Sequence, residues 1–438
     1  MKILVIGSGA REHAIAKALD KTADVYTYMG KKNPGLAKIS KKCCVGDESN
    51  FDNIIKFAKS NDIKMAFIGP EAPLEKGIVD TLADVGICSV GPTRKAAQIE
   101  TNKAFMRKLF EDYNIGGSVK YGTFYDLKEA CDFIDTFDEA VVVKPIGLTG
   151  GKGVKIVGDQ LADNDEAKKY VKEIFETKMG GFEGVVIEEL LVGEEYTIQA
   201  FTDGCTLIPM PAAQDHPHAF EGNTGPITGG MGSYSDKNHL LPFLSKEDYD
   251  KSVQIMKDTI DAIRKEAEPY KGILYGQFML TKDGPKVIEY NARFGDPESM
   301  NVLSIFNYDL AKVSKQIVEG KLDQVSFKNQ ASVCKYVVPE NYPNTKAADT
   351  IIKVDEDKIN DLGAQIYYAA VYQDDNDDIR LTSSRAIGVL AVDDTIEAAE
   401  KTCEKAISYI EGEVYHRSDV ATTKLLNEKI EHMKEVKS

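Results

Sequence analysis

Cysteine is scarce in this chain: seven in 438 residues, with no Cys-x-x-Cys pair and only Cys43 and Cys44 adjacent. A disulfide framework or a zinc ribbon needs regular paired spacing, so neither is expected. Basic charge is also short. Lys plus Arg number 54 against 70 for Asp plus Glu, a formal net charge of −16. Nucleic-acid and membrane-surface binders need a basic footprint, so no nucleic acid and no membrane is expected as a partner. A local basic pocket for a small anion remains compatible with an acidic whole. No apolar run approaches the roughly 20 residues of a membrane span. The chain opens directly on the apolar MKILVIG, without a charged leader, so no signal peptide is expected and a reducing cytoplasm is the expected compartment. There is no internal repeat and no low-complexity tract.

What is present is ordinary globular composition, 42% apolar and 28% charged. The length suggests three domains at roughly 150 residues each. Residues 2–6, 25–29, 65–68 and 87–90 read as buried strands, with helices at 11–19, 51–60 and 74–83 between them. Such alternation predicts a doubly wound, parallel α/β sheet. Each strand runs into a Gly or Pro turn: Gly7-Ser8-Gly9, residues 30–35, Gly69-Pro70 and Gly91-Pro92. Ligands of these sheets sit beyond the carboxyl ends of the strands. A long helical pattern over 93–114 leads into a second region. It holds strands at 140–144, 154–157, 184–191 and 196–201, helices at 163–177 and 246–267, and a hairpin 273–280/286–290 turning on Asp283-Gly284. Residues 210–234, rich in Pro, Gly, His and Thr, are too long and irregular for a plain turn. A last unit from about 325 has strands at 332–338, 365–371 and 386–392 and a helix at 395–411.

Four segments carry chemistry. In VIEYNARFGDPE, from Val287, side chains two apart on a strand share a face, so Glu289, Asn291 and Arg293 point the same way. Two hard oxygen ligands beside a guanidinium suit metal-bound phosphates, whereas an exposed polar edge would have little use for Asn. In VVVKPIGLTGGKG, Lys144 ends a strand and a glycine-rich loop follows. It departs from a Walker A loop at Ile146 and Gly153, and a strand follows where a helix is required. A flap over nucleotide phosphates, with Lys144 and Lys152 adding charge, fits it better than a plain mobile hairpin does. In VIEELLVGEEY, from Val186, Glu188 or a neighbouring backbone group is placed to meet an adenine amine, and Glu194 or Glu195 to meet ribose hydroxyls. A solvated acidic turn is the competing reading. In IGSGAREHA, the third glycine of a dinucleotide fingerprint is missing, and Tyr28-Met29-Gly30 stand where strand two should end in an acid. This turn reads as an anion site at a helix N-terminus, with Arg11 beside it. The two histidines of Gln214-Asp215-His216-Pro217-His218 have no further spaced ligand and read as ordinary loop residues.

Taken together these segments resemble the glycinamide ribonucleotide synthetase (phosphoribosylamine–glycine ligase) family of the ATP-grasp superfamily. IGSGAREHA, GPEAPLEKG, GPT, GLTGGKG, IEELLVGEE, QDH, TGPITGGMGSYS and EYNARFGDPE occur in the family's order across essentially the whole chain, and KKNPGLAK and KPIGLTGGKG resemble its archaeal branch. The resemblance implies an N-terminal doubly wound domain (1–100), ATP-grasp domains (101–324) with a mobile glycine-rich lid at about 120–192, and a C-terminal α/β unit (325–438). It implies a monomer that joins glycine to 5-phosphoribosylamine at the expense of ATP, through glycyl phosphate, with Mg²⁺ or Mn²⁺. It assigns nucleotide contacts to Lys103, Lys144, Gly150, Gly151, Lys152, Gly153, Glu188, Glu189, Leu191 and Glu194 or Glu195, and metal ligation to Glu289 and Asn291. Catalytic roles fall to Arg293 and Asp215. Gly9, Arg11, Glu12, Gly35, Pro70, Glu71, Thr224, Gly225, Gly229, Gly230, Met231, Asp296 and Pro297 are assigned to glycine and phosphoribosylamine.

Several positions depart from the family pattern: Asn33-Pro34-Gly35 in place of Pro-Gly-Asn-x-Gly, Ile227 for Asn, Ser383-Ser384 for Gly-Gly before Arg385, and Gln277 where related enzymes carry a metal-binding Glu. The rival readings are another ATP-grasp carboxylate–amine ligase or carboxylase, a nucleotide-binding oxidoreductase, and a non-catalytic scaffold.

Overall fold

A computed structural model describes residues 1–150, 153–344 and 349–438. Its N-terminal sheet contains β1 (Lys2–Ile6), β2 (Asp24–Met29), β3 (Lys42–Val45), β4 (Met65–Ile68) and β5 (Cys88–Val90), in the order β3-β2-β1-β4-β5. All four pairings are parallel. Alternation along β1 feeds two cores: Ile3 and Val5 pack with Ala14 and Ile15, while Leu4 and Ile6 pack with Ile54 and Phe57. Burial on both faces explains the unbroken apolar runs. β3, which carries Cys43 and Cys44, had no apolar signature because it is a half-exposed edge strand.

The expected continuous helix over 93–114 is broken. Asn102 adopts an extended conformation (φ −141, ψ 100) between helices Gln98–Thr101 and Lys103–Asp112, and its side chain caps the second by accepting from Phe105 N–H at 3.0 Å. An Asn N-cap stabilises a helix by about 1 kcal/mol, and here it outweighs the continuing apolar period. The break turns the first backbone N–H of the new helix outward, where Lys103 donates to Ile146 O at 2.9 Å.

Residues 121–189 form a small body with its own core: sheet Tyr121–Phe124, Val185–Glu189, Val141–Pro145, Lys155–Ile156, covered by helices Leu127–Ile134 and Asn164–Thr177. The central antiparallel sheet is Leu207–Pro209, Glu194–Thr202, Gly272–Thr281, Gly284–Asn291, backed by helix Lys246–Glu266. The third sheet crosses the boundary expected near residue 324. Strands Gln214–Asp215 and Gly232–Ser235 join Ala331–Pro339, Ile387–Asp393 and Gln365–Tyr368 in one sheet. The irregular 210–234 stretch therefore contains two strands of this sheet and a hairpin, His218–Phe220 with Thr224–Ile227. Asn33 and His13 fasten the first sheet to the third: Asn33 Nδ2 donates to Tyr368 O at 2.8 Å, and His13 Nδ1 accepts Tyr368 N–H at 3.0 Å. Burial holds the His13 pKa down to about 3, which keeps that nitrogen an acceptor. Among the described residues no helix is long and apolar enough to cross a membrane.

Candidate active site

A cavity of about 710 Å³ opens where the first sheet's carboxyl edge, the 121–189 body, the central sheet and the third sheet meet. Strand alternation populates its floor. On Glu194–Thr202 the Glu195 side chain enters the cavity, while that of Glu194 turns to the opposite face. Neighbouring strands add Gln277 and Glu289, which lie opposite each other in register, and Asn291. Gln277 Nε2 donates to Glu195 Oε2 at 2.8 Å, and burial raises the Glu195 carboxyl above its ordinary range.

Just past the strand, Arg293 folds back onto this face. Its Nη2 donates to Asn291 Oδ1 at 3.1 Å. The guanidinium also pairs with Glu71 at 3.3 Å and Glu100 at 3.2 Å. The two carboxylates respond in opposite ways. Burial alone would raise Glu71, but Arg293 and Arg11 hold it down to about 2. Burial prevails at Glu100 and pushes it up to about 7, although Arg293 opposes it and Ala292 N–H donates to its Oε2 at 2.6 Å. Glu71 lies between two guanidiniums, with Arg11 at 3.9 Å on its other side.

At one end of the cavity, Arg107, whose side chain is 0% exposed, grips Glu188 through Nε at 2.6 Å and Nη2 at 2.8 Å, and Lys144 reaches the same carboxylate at 2.7 Å. Arg107 also donates to Val287 O and Ile288 O. This buried ion triad ties the 121–189 body to the central sheet. Lys103 Nζ donates to Gly147 O at 3.1 Å, and burial lowers its pKa. Leu148, Thr149, Gly150, Glu189 and Leu191 complete this end.

At the other end, Tyr275 OH donates to Glu298 Oε1 at 2.9 Å, beside Asp215, Asp296 and Arg385. Burial first, then the Glu298 charge, push Asp215 well above the ordinary carboxylate range, and burial raises Glu298 as well.

Some expected site residues lie elsewhere. Glu194 meets Lys429 at 2.7 Å and His432 at 2.6 Å on the C-terminal helix Thr423–Lys437, so its carboxylate serves that contact. Glu188 reaches the cavity, but its oxygens are engaged by Arg107 and Lys144. Glu12 caps Gly9 N–H at 2.6 Å and pairs with Arg11, a fold contact within the turn. Gly35 packs on the His13 ring, where a Cβ would come within 2.0 Å. Met231 is core. Thr224 and Gly225 sit on the exposed hairpin, Gly225 against the Phe220 ring. Gly9, Pro70, Gly153, Gly230 and Pro297 flank the cavity without being part of its wall, while Arg11, Gly229 and Asp296 are part of it. Gly151 and Lys152 lie outside the described residues.

Arg107, Glu100, Tyr275, Glu298 and Arg385 were not singled out for the site from sequence. Glu298 had a signal, the unusual RFGDPE turn. Arg107 sits in the amphipathic helix KAFMRKLFED, where an Arg normally reads as surface.

The divalent cation implied by the resemblance is tested by the donor set. Among the described residues no group of three or more His, Cys, Asp or Glu is placed to hold a metal. Glu289 and Asn291 offer two hard oxygens on one face. That suits an ion completed by phosphate oxygens and water, as Mg²⁺ prefers, rather than a closed protein cage.

Comparison with known proteins agrees with this architecture. Family models for phosphoribosylglycinamide synthetase match in three parts: the N domain over residues 1–100, the ATP-grasp (A) domain over 101–299 and the C domain over 332–423. Phosphoribosylamine–glycine ligase of Methanosphaera stadtmanae is 79% identical, and that of Methanobrevibacter smithii 62%, each with 100% of both chains covered. The crystal structure of the Thermotoga maritima phosphoribosylamine–glycine ligase superposes with TM-score 0.82 at 23% identity, covering 96% of this chain and 100% of that one. The biotin carboxylase domain of Hydrogenobacter thermophilus 2-oxoglutarate carboxylase, solved with MgADP and bicarbonate, has the same fold at TM-score 0.76 and 14% identity, covering 99% and 97%. The chain belongs to the phosphoribosylglycinamide synthetase family.

Proposed function

We infer that this chain catalyses the ligation ATP + 5-phosphoribosylamine + glycine → ADP + phosphate + glycinamide ribonucleotide, a step of purine biosynthesis. The observation that carries the inference is one cavity with two unlike ends, joined by Arg293. ATP occupies the end framed by Lys103, Lys144, Leu191 and Glu195, with the ribose hydroxyls on Glu195. Glu188 acts there by fixing Lys144 and Arg107, and a backbone group of residues 189–191 takes the adenine amine. Glu289 and Asn291 hold Mg²⁺ or Mn²⁺, which neutralises phosphate charge when bound. Glycine and phosphoribosylamine occupy the end framed by Arg11, Glu71, Asp215, Gly229 and Asp296.

Glycine's carboxylate oxygen attacks the γ-phosphorus, the bond from that phosphorus to the β-bridging oxygen breaks, and ADP leaves glycyl phosphate behind. Arg293, already aimed by Asn291, Glu71 and Glu100, stabilises charge on the transferring phosphoryl group without reorganising. The amine of phosphoribosylamine then attacks the acyl carbon, phosphate departs, and the nitrogen loses a proton. Asp215, in the wall of this end, accepts it.

The test omits each substrate in turn while ADP release is followed. Release that needs both glycine and freshly generated phosphoribosylamine is expected, and release indifferent to glycine would overturn the reading. The dinucleotide-dependent oxidoreductase is disfavoured by the same geometry: Glu12, whose place the fingerprint's x-x-Gly would hold, fills the turn after β1 with its own carboxylate.

A further inference from the structure

We propose that Arg385, carried by the C-terminal unit, is a positioning residue that shapes the acceptor end of the cavity by clamping the Gly229–Gly230 turn to Asp296. The proposal rests on the ligase reading of that cavity and adds a part of the chain to which the resemblance assigns no site residue.

Arg385 Nη1 donates to the carbonyls of Gly229, Gly230 and Asp296, the last two at 2.9 Å each. Its Nη2 lies 3.5 Å from the Asp296 carboxylate. Two chain segments 66 residues apart in sequence are thus held by one planar group. The plane is itself fixed, because Arg385 stacks over the Tyr336 ring at 4.4 Å and Tyr336 OH donates to the Asp296 carboxylate. A fork with several donors in one plane can do this, and a lysine ammonium, a point charge on a flexible stem, cannot reproduce it.

The glycines record the same constraint independently. A Cβ on Gly229 would lie 3.0 Å from Nη2 and 3.1 Å from Cζ of Arg385. Gly230 has φ +89, and a Cβ there would meet Pro297 at 2.9 Å and an Asp215 carboxylate oxygen at 3.3 Å. The turn is therefore closed down onto the guanidinium on one side and onto Asp215 and Pro297 on the other. Arg385 and Gly229 both form cavity wall. Because Nη1 is committed to backbone carbonyls, Arg385 acts through the turn and through Asp296, and the ATP end, built on other strands, does not depend on it.

The experiment compares full-length wild type, R385A, R385K and G229A in steady-state kinetics with each of the three substrates varied, alongside thermal unfolding. The KM for ATP is expected to stay within about twofold in all variants. In R385A, the KM for at least one of glycine and phosphoribosylamine is expected to rise about tenfold or more, because a misplacement near 1 Å costs up to about a hundredfold. R385K keeps the charge and G229A keeps the arginine, and both should shift the same constants in the same direction; if R385A fails to fold, these two decide. Unchanged acceptor KM values in the folded variants would overturn the proposal. So would a rise in the ATP KM that matches the acceptor rise and tracks a lowered unfolding temperature, since that pattern marks general destabilisation. Wild-type ADP release that ignores glycine would instead overturn the ligase reading itself, so the two failures are distinguishable.

Discussion

The two ends of the cavity differ in how their carboxylates are paired. At the proposed nucleotide end one carboxylate meets two cations: Glu188 is gripped by Arg107 and Lys144 and held down to about 2 against the effect of its burial, while burial raises Glu195 nearby. At the acceptor end acids crowd together, and burial raises Asp215 and Glu298. Arg293 stands between them with one carboxylate of each kind, Glu71 fixed as an anion and Glu100 near 7. The difference separates two tasks. A buried, fully paired triad fixes geometry, which is what binding a nucleotide between two bodies requires. Acids with raised proton affinity are suited to a step that releases a proton.

Breaking the triad should have the largest effect. Arg107→Met leaves Glu188 buried with half its partners, and removing one member of a buried ion pair costs about 3–5 kcal/mol. Urea unfolding should show a loss of that size; a loss below about 1 kcal/mol would mean that the triad is not holding the two bodies together. Arg293→Ala should lower turnover by about a hundred- to a thousandfold, about 3–4 kcal/mol. Near-normal turnover would remove Arg293 from the phosphoryl transfer. Glu289→Gln should raise the Mg²⁺ concentration needed for half-maximal rate about tenfold or more, since a hard cation loses its one charged protein ligand. An unchanged Mg²⁺ dependence contradicts the ligand role.

The triad should also set a pH dependence. Glu188 has a folded pKa of about 2 against an ordinary value of 4.5. Its contribution to stability is therefore present above 4.5 and lost as pH falls from 4.5 towards 2. The stability gap between wild type and Glu188→Gln should narrow over that window in acid unfolding. A gap that does not change with pH would place the triad's strength outside charge pairing.

The same contrast governs what could be read from sequence. EYNARF was legible because strand alternation is local: Glu289 and Asn291 share a face by spacing alone, and Arg293 returns to it. The choice between Glu194 and Glu195 was not. Both are acids on one strand, and the decision lies with Lys429 and His432, more than 230 residues later. The break at Asn102 had a local signal, an Asn followed by a helical run, but the apolar period ran through it. Arg107 gave no signal, since burial of a charge depends on a partner that only the tertiary fold supplies. The third sheet was hidden for a related reason. Gly232–Ser235 is a short strand inside a Pro- and Gly-rich stretch, and its pairing partner Ala331–Pro339 lies about 100 residues away.

In the proposed reaction glycine's carboxylate attacks the γ-phosphate beside Arg293. Glycine labelled with ¹⁸O in both carboxylate oxygens tests it directly, with the released inorganic phosphate analysed by mass spectrometry. One labelled oxygen is expected in the phosphate for each glycinamide ribonucleotide formed. Unlabelled phosphate at full product yield would contradict it.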